Sequence, residues 1–316
     1  MTTLNNTLEM FFQLPIIVYN KETLNFKSIS AFSLASKDLN DKNNKTRENI
    51  VGAIINNKIP DDYYIVSRWL NLKKSISGYI QELDASKKYS KAECSHKGGR
   101  KFNFDFNIKV YYEDGTENIF NIELKFNAST IDETPQFVSP MKPSQYMSDS
   151  YEDYYYSNYL PQLATESGLE IPTKESYLKQ IHTNKPKCID KFQQLYYKGC
   201  KKSSQFTNIE TDIKFYELAK AVTNQSISSF IEKTELNIEL LSNYLLTSQN
   251  NKIYMLYSNK KFIVQKPNMD DYQILSVTKN PTKFRFDCIS KSGVKLNVLL
   301  RWKNGNGIAF PAFQIS

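Results

Sequence analysis

Hydrophobic and polar residues alternate most regularly over residues 101–127, in the stretch KFNFDFNIKVYYEDGTENIFNIELKFN. Apolar side chains occupy the even-numbered positions of 102–112 and again those of 120–126. A repeat of two predicts two strands, each with one buried face and one polar face. Residues 113–116 supply the acidic and glycine residues of a turn. We therefore predict a β-hairpin.

The length of this turn decides which side chains of the hairpin face one another. A two-residue loop would set apolar residues opposite polar ones along both strands. A three-residue loop over 113–115, with Gly115 in the left-handed conformation, pairs Tyr112 with Thr116 and matches the two faces. We therefore predict the three-residue loop.

Ionisable residues meet on the polar face in this register. Asp105 is predicted to lie directly opposite Glu123, and Lys125 follows two residues later on the same face. Opposed carboxylates repel each other unless a positive charge lies between them. A divalent cation and the lysine would supply that charge, so this face is the strongest candidate for chemistry.

Apolar residues at helical spacing flank the hairpin on both sides. Before it, residues 46–57 and 64–83 are predicted as helices, and 85–101 as a basic loop. After it, a tyrosine-rich stretch at 145–163 and the region 173–248 are predicted to be helical. The tyrosines favour packing in a core over a surface that stacks nucleic-acid bases.

The pattern changes to short strands near residue 250. Turn residues separate six predicted strands, at 252–257, 261–265, 272–278, 283–289, 294–302 and 308–315. We predict an α/β (α+β) fold with a mixed central sheet flanked by helices. The predicted division is a core with N-terminal helices and the hairpin at 1–170, a helical region at 171–250, and a β-rich region at 251–316. The last region is expected to rejoin the core sheet or to contact a ligand.

The composition limits the kinds of partner and the cellular compartment to be expected for this protein. The 316 residues carry a net charge of +8, which suits a polyanionic partner but also occurs in ordinary soluble proteins. The four cysteines are scattered and form no CxxC pair, as expected of reduced thiols in an intracellular protein. No apolar run is long enough to span a membrane, and the N-terminus lacks signal-peptide features. We expect a soluble intracellular protein.

Two carboxylates and a lysine on adjacent strands can hydrolyse a phosphodiester. Asp105 and Glu123 would bind Mg²⁺, which prefers oxygen ligands, and Mn²⁺ could substitute for it. The backbone carbonyl of Leu124 could be a further ligand. Lys125 would orient the attacking water or stabilise the charge that develops in the transition state.

These residues resemble the motif of the PD-(D/E)XK nuclease superfamily, the restriction-endonuclease-like fold. Gly98-Gly99-Arg100 leads into Asp105, and the hairpin then reaches Glu123-Leu124-Lys125. The resemblance is strict only over residues 98–125, and it departs from the pattern where Phe104 stands in place of a proline. It implies that Asp105 is the first motif aspartate and that Glu123 and Lys125 form the ExK pair.

The resemblance also implies residues that contact DNA. A glutamate from the preceding helix can join the site in such folds, which makes Glu48 an accessory candidate, although a solvated helix position is the more ordinary interpretation. Gln136, after the ExK strand, is the other accessory candidate. Basic and amide side chains in the flanking loops are the candidates for DNA contact: Arg100, Lys101, Lys142, Gln145, Arg301, Lys303 and Asn304.

The function predicted from these residues and the resemblance is Mg²⁺-dependent DNA endonuclease activity. Sequence-specific cleavage of double-stranded DNA, like that of type II restriction enzymes, is the first candidate. Such enzymes commonly act as homodimers on palindromic sites, and by analogy a cognate DNA methyltransferase would belong to the same system. The alternatives are a structure-selective or repair nuclease of the same fold, and a catalytically inactive nucleic-acid-binding protein.

Overall fold

The chain divides into two compact units. The computed structural model describes residues 14–34, 36–98, 102–134, 142–183, 186–303 and 310–316. Unit 1 comprises residues 1–134 and 249–267, and unit 2 comprises residues 135–248 and 268–316. These limits differ from the divisions at 170 and 250 that were drawn from the sequence pattern.

Unit 1 is built on a five-stranded mixed sheet. Its strand order is β3-β4-β5-β6-β7, in which only the β5–β6 pair is parallel. The connection between these two parallel strands contains the helices of unit 2. The elements of unit 1 are β1 (Ile17–Tyr19), β2 (Glu22–Leu24), α1 (Lys37–Ile55), α2 (Ser67–Leu83), β3 (Tyr89–His96), β4 (Phe106–Tyr112), β5 (Glu117–Phe126), β6 (Lys252–Ser258) and β7 (Lys261–Gln265).

The core of unit 1 follows directly from the sequence periods. In β4, alternate residues from Phe106 to Tyr112 are buried and those between them are only partly covered. In α2, buried residues recur every three or four positions from Trp69 to Leu83, which gives the helix one apolar face. This face and that of α1 share one hydrophobic cluster with the apolar side of the sheet.

Unit 2 combines helices with a four-stranded antiparallel sheet of order β11-β10-β9-β8. The helix predicted over 145–163 is divided into two, and four tyrosines of this stretch are buried in the core as predicted: Tyr146, Tyr151, Tyr155 and Tyr159. The elements of unit 2 are α3 (Tyr151–Asn158), α4 (Leu160–Ser167), α5 (Lys174–Gln180), α6 (Asp190–Gly199), α7 (Glu210–Lys233), α8 (Ile238–Gln249), β8 (Ile274–Asn280), β9 (Arg285–Ser290), β10 (Lys295–Lys303) and β11 (Phe310–Ile315).

The predicted fold class is confirmed: the chain is α+β, with a mixed sheet, helices and a β-rich C-terminal region. One local prediction was wrong, because β3 lies within the stretch interpreted as a basic loop. Its inward residues Ala92 and Cys94 are too few and too small to give a strong alternation. Within the described ranges, no helix combines the length and apolar character needed to cross a bilayer.

Candidate active site

The hairpin adopts the predicted three-residue turn. The backbone N–H of Tyr112 donates to the carbonyl of Thr116 at 2.9 Å, and Gly115 has a φ of +81°. The strands then pair in register down to Phe106 opposite Ile122. This confirms the predicted register and brings the start of β4 beside the second half of β5.

Asp105 does not lie opposite Glu123 in the ladder, so this detail of the prediction was wrong. The chain bends over residues 103–105, and regular pairing of β4 begins only at Phe106. The N–H of Asp105 donates to the carbonyl of Ile122 at 2.9 Å. Its carboxylate oxygen Oδ2 instead accepts the N–H of Leu124 at 2.8 Å, reaching across to β5. The carboxylate is therefore fixed against the backbone between Glu123 and Lys125.

Glu123 and Lys125 form an ion pair on β5. Residues two apart on a strand share one face, and Lys125 Nζ lies 2.7 Å from Glu123 Oε1. The side chains are only 19% and 16% exposed. Burial disfavours the charge on Lys125, but Glu123 and Asp105 outweigh it and raise the pKa of the lysine. Lys125 is therefore held as a cation beside two carboxyl groups.

Glu48 of α1 joins these groups instead of being a freely solvated helix residue. Burial and then repulsion from Glu123 raise the pKa of Glu48 to about 7. Its neighbour Arg47 is buried and donates through Nε to the carbonyl of Ala31 at 2.6 Å, which fixes this turn of the helix. The sequence could not show this placement, because it depends on how α1 packs against the sheet.

Asp105 has the most strongly shifted carboxyl group of the cluster. Burial, followed by the negative charges of Glu123 and Glu48, raises its pKa well above the ordinary range. The hydrogen bond from Leu124 and the charge of Lys125 oppose this shift but do not cancel it. Three carboxyl groups therefore lie within electrostatic range of one another with too little positive charge.

Lys252 is a member of the cluster that the sequence analysis missed. It opens β6, pairs with Asn121 of β5, and is 4% exposed. Burial lowers the pKa of Lys252, while the negative charge of Glu123 acts in the opposite direction. A lysine at the first position of an otherwise apolar strand was the signal that could have identified it, since lysine is almost never fully buried without a partner.

The donor set fits a magnesium ion that is held only in part by protein. In the described parts of the chain, no group of three or more His, Cys, Asp or Glu is arranged to hold a metal. Mg²⁺ usually keeps several waters and binds one or two carboxylates together with substrate phosphates. Asp105 and Glu123 supply two carboxylates, and their mutual repulsion would be relieved by a cation.

The other candidate residues belong to unit 2 or lie outside the described residues. Lys142 and Gln145 are exposed residues of unit 2 that precede α3. Arg301 lies on β10, where its Nη1 donates to Gln314 Oε1, and Lys303 ends the same strand. Four predicted contact or accessory residues lie outside the described residues: Arg100, Lys101, Gln136 and Asn304.

Comparison with known proteins adds one match. No family model matches the chain, and no curated protein matches it. Among solved structures, the chain is similar to the restriction endonuclease MspI in complex with its cognate DNA, at 13% identity over 78% of this chain and 82% of that chain. The TM-score is 0.28. A similarity with this TM-score shows neither the fold nor the function of this chain.

Proposed function

We propose that this protein is a Mg²⁺-dependent DNA endonuclease. The observation that carries the proposal is the convergence of Asp105, Glu123 and Lys125 at one end of the hairpin, with both hydrogen-bonded contacts at 2.7–2.8 Å. Perturbed ionisable groups of this kind gather preferentially at functional sites. The resemblance of the same three residues to the PD-(D/E)XK motif supports phosphodiester hydrolysis as the reaction.

Each residue has a defined part in this proposal. Asp105, Glu123 and the carbonyl of Leu124 would hold the ion, which when bound supplies charge neutralisation and a water of lowered pKa. Lys125, kept protonated by its neighbours, would donate hydrogen bonds to a phosphate oxygen or to the attacking water. Lys252 adds a second ammonium group within electrostatic range of the carboxylates.

The kind of DNA cleaved is the finer part of the proposal. Sequence-specific cleavage of double-stranded DNA by a homodimer, with a cognate methyltransferase in the same system, is the first candidate. Lys142, Gln145, Arg301 and Lys303 are then proposed as DNA contacts, together with Arg100, Lys101 and Asn304. A structure-selective nuclease is the second candidate.

Incubation of the protein with supercoiled plasmid and with branched DNA, each with Mg²⁺ or with EDTA, tests the proposal. Mg²⁺-dependent nicking or linearisation is expected, and sequencing of the ends separates the candidates. Ends at one motif indicate sequence-specific cleavage, whereas ends at junctions indicate structure selectivity. The absence of Mg²⁺-dependent cleavage of every substrate, by protein that still binds DNA, would indicate the inactive nucleic-acid-binding alternative.

A further inference from the structure

Lys252 is the only buried lysine among the residues that the structure describes, with 4% of its surface exposed. It opens β6 and pairs with Asn121 of β5. Paired residues of neighbouring strands point to the same side of a sheet, and so do residues two apart on one strand. Lys252 therefore lies on the same face as Asn121, Glu123 and Lys125, one strand away from the ion pair of the candidate site.

The ammonium group of Lys252 has no direct partner of opposite charge. It forms no hydrogen bond or ion pair with any described residue, and Nζ lies 5.6 Å from the centroid of the Tyr254 ring. Burial lowers the pKa of Lys252, and the opposing negative charges of Glu123 and Asp105 do not cancel this effect. An ammonium group that is buried without a hydrogen-bonded partner costs free energy. A bound anion would supply the missing partner.

The charges of the candidate site indicate which anion this would be. Lys125 already has a partner, since its Nζ lies 2.7 Å from Glu123 Oε1. A divalent ion bound by Asp105 and Glu123 would balance both carboxylates and leave two lysines in excess. Glu48, whose pKa is raised by burial to about 7, contributes only part of a charge at neutral pH. A phosphodiester carries one negative charge and gains a second in the transition state, which Lys125 and Lys252 together would match.

Neutral polar side chains extend from Lys252 across the same face of the sheet. Asn121 pairs with Asn107 of β4, and Asn107 pairs with Ser95 of β3. The Nδ2 of Asn107 donates to Asn121 Oδ1 at 2.6 Å, which fixes both side chains. Because none of these three residues carries a negative charge, the row adds no repulsion to an anion that Lys252 would hold.

We propose that Lys252 binds a non-bridging oxygen of the phosphodiester that the site cleaves. Lys125 would stay paired with Glu123, while Lys252 would donate to the phosphate from the neighbouring strand. Lys252 would then be a substrate-binding residue and not a counter-charge that holds the carboxylates together. This inference rests on the proposed nuclease function for the identity of the ligand, but it concerns binding and is tested without cleavage.

Fluorescence anisotropy of a labelled DNA duplex of mixed sequence, measured with Ca²⁺ and with EDTA, tests the inference. Ca²⁺ takes oxygen ligands as Mg²⁺ does, and gel electrophoresis of the same samples confirms that the duplex stays intact. Lys252→Met should lower the affinity about tenfold with Ca²⁺, the effect expected for loss of one hydrogen bond between charged groups. The loss in EDTA should be smaller, because no ion then draws the phosphate to the carboxylates.

Lys109→Met is the matched control for this loss of affinity. Lys109 lies on the same face of the sheet, since it pairs with Ile119, two residues before Asn121 on β5. Its Nζ is ion-paired with Glu117 at 2.8 Å, so it already has a protein partner. Its removal should change the affinity by less than about twofold.

Urea denaturation in EDTA separates a substrate-binding lysine from a structural one. Lys252→Met should not lower the urea midpoint, because it replaces an unpaired buried ammonium group by an apolar side chain of similar length. Lys125→Met should lower the midpoint, because Glu123 then loses its ion-pair partner. A similar fall in both variants would show that Lys252 is a structural counter-charge and would overturn the inference.

The outcomes also separate the inference from the proposed function. If Lys252→Met loses no more affinity than Lys109→Met does, the inference is wrong, even where the wild type cleaves plasmid with Mg²⁺. If Lys252→Met loses affinity as expected but the wild type cleaves no DNA, Lys252 binds phosphate and only the proposed function is wrong. A wild-type protein that binds no DNA under either condition would contradict both.

Discussion

The two larger sheets of this protein are surrounded by different kinds of buried polar group. Next to the mixed sheet of unit 1, the buried or half-buried groups are ionisable: three carboxyl groups lie near one another, together with two lysines (Asp105, Glu123, Glu48, Lys125 and Lys252). In unit 2, they are mainly neutral hydroxyls, and the buried carboxylate of Glu152 has a partner in the ring of His182. Tyr151 accepts a hydrogen bond from Trp302 Nε1 at 2.8 Å and lies 2.9 Å from Ser226 Oγ.

This difference between the buried polar groups supports placing the candidate active site in unit 1. A satisfied neutral network stabilises and rigidifies a core, whereas gathered carboxylates cost free energy unless a cation or a proton is supplied. A chain does not need such a cluster to fold. The carboxyl groups of unit 1 are therefore arranged so that binding a cation would stabilise them. The hydrogen-bonded groups of unit 2 are arranged as in a structural core.

The largest expected effect is on cleavage. Asp105→Asn and Lys125→Gln should each lower the rate of Mg²⁺-dependent cleavage roughly 10³-fold or more, because each removes a charge that acts in the transition state. Asp153→Asn and Lys174→Gln are the matched controls, since these residues form an ion pair of 2.6 Å in unit 2. Plasmid-cleavage rates measure both pairs, with circular dichroism to confirm folding.

The distinction between the two units would be wrong if the variants of the unit 1 pair and those of the unit 2 pair behaved alike. Equal rates in all four variants would mean that the charge cluster of unit 1 is structural. Equal losses in both pairs would mean that cleavage depends on general stability. Only a loss confined to the pair in unit 1 is consistent with the proposed roles.

The second effect is on the pH dependence of stability. Burial and Glu123 raise the pKa of Glu48 from 4.5 to about 7, so the folded chain binds this proton more tightly than the unfolded chain. The free energy of unfolding therefore falls as the pH rises from 4.5 to about 7. Glu48→Gln removes this loss and should stabilise the protein at pH 8 in EDTA by up to ~3 kcal/mol. Urea denaturation at several pH values measures it.

Mg²⁺ offers an independent check on the same residue. Addition of Mg²⁺ at pH 8 should stabilise the wild type more than it stabilises Glu48→Gln, because the cation relieves the repulsion that the variant already lacks. The exposed Glu175 of unit 2 provides the control variant, Glu175→Gln. A pH profile of Glu48→Gln identical to that of the wild type would show that Glu48 is solvated after all.

The third effect is on the neutral network of unit 2. Tyr151→Phe removes one hydroxyl and leaves Trp302 Nε1 buried without its acceptor, so it should lower the free energy of unfolding by about 2 kcal/mol. Cleavage per folded molecule should not change. Denaturation together with the cleavage rate at low temperature measures the two quantities. A fall in cleavage without a fall in stability would place part of the chemistry in unit 2.

The sequence alone predicted those parts of the structure that depend on the local pattern of residues. Alternation and turn chemistry predicted the hairpin, its three-residue loop and most strands after residue 250, because each is decided by neighbours in the chain. The bend before Phe106 was missed, since the apolar alternation of Phe102 and Phe104 continues through it. Local pattern cannot show where pairing stops.

The rest of the site depends on contacts between distant segments. Lys252 reaches the cluster because β6 pairs in parallel with β5, which is a property of topology and not of the residues around it. Glu48 reaches it because α1 packs beside the sheet. Without that packing, the neighbours of either residue in the chain do not show where its side chain lies, so the sequence made Glu48 only an accessory candidate and missed Lys252.

The smallest expected effect concerns the turn that sets the hairpin register. A turn of the same kind occurs in the four-stranded sheet, so the two can be compared. Gly115 is the last residue of the turn closed by the hydrogen bond from Tyr112 N–H to the Thr116 carbonyl. Gly293 has the same place in the turn between β9 and β10, where Ser290 N–H donates to the Val294 carbonyl at 2.9 Å. Both glycines have φ above +80°, and a Cβ at either would meet nothing within 4 Å. Gly115→Ala and Gly293→Ala should therefore each cost about 1 kcal/mol through backbone conformation alone.

Measuring cleavage in these two variants shows what holds the active hairpin in register. The buried faces of β4 and β5 oppose a slip, since a shift of one residue would expose the whole apolar set. Cleavage per folded molecule should thus be retained in both variants. If Gly115→Ala lowered cleavage while Gly293→Ala did not, at equal cost in stability, then the turn and not the buried face would be what positions Asp105 against β5.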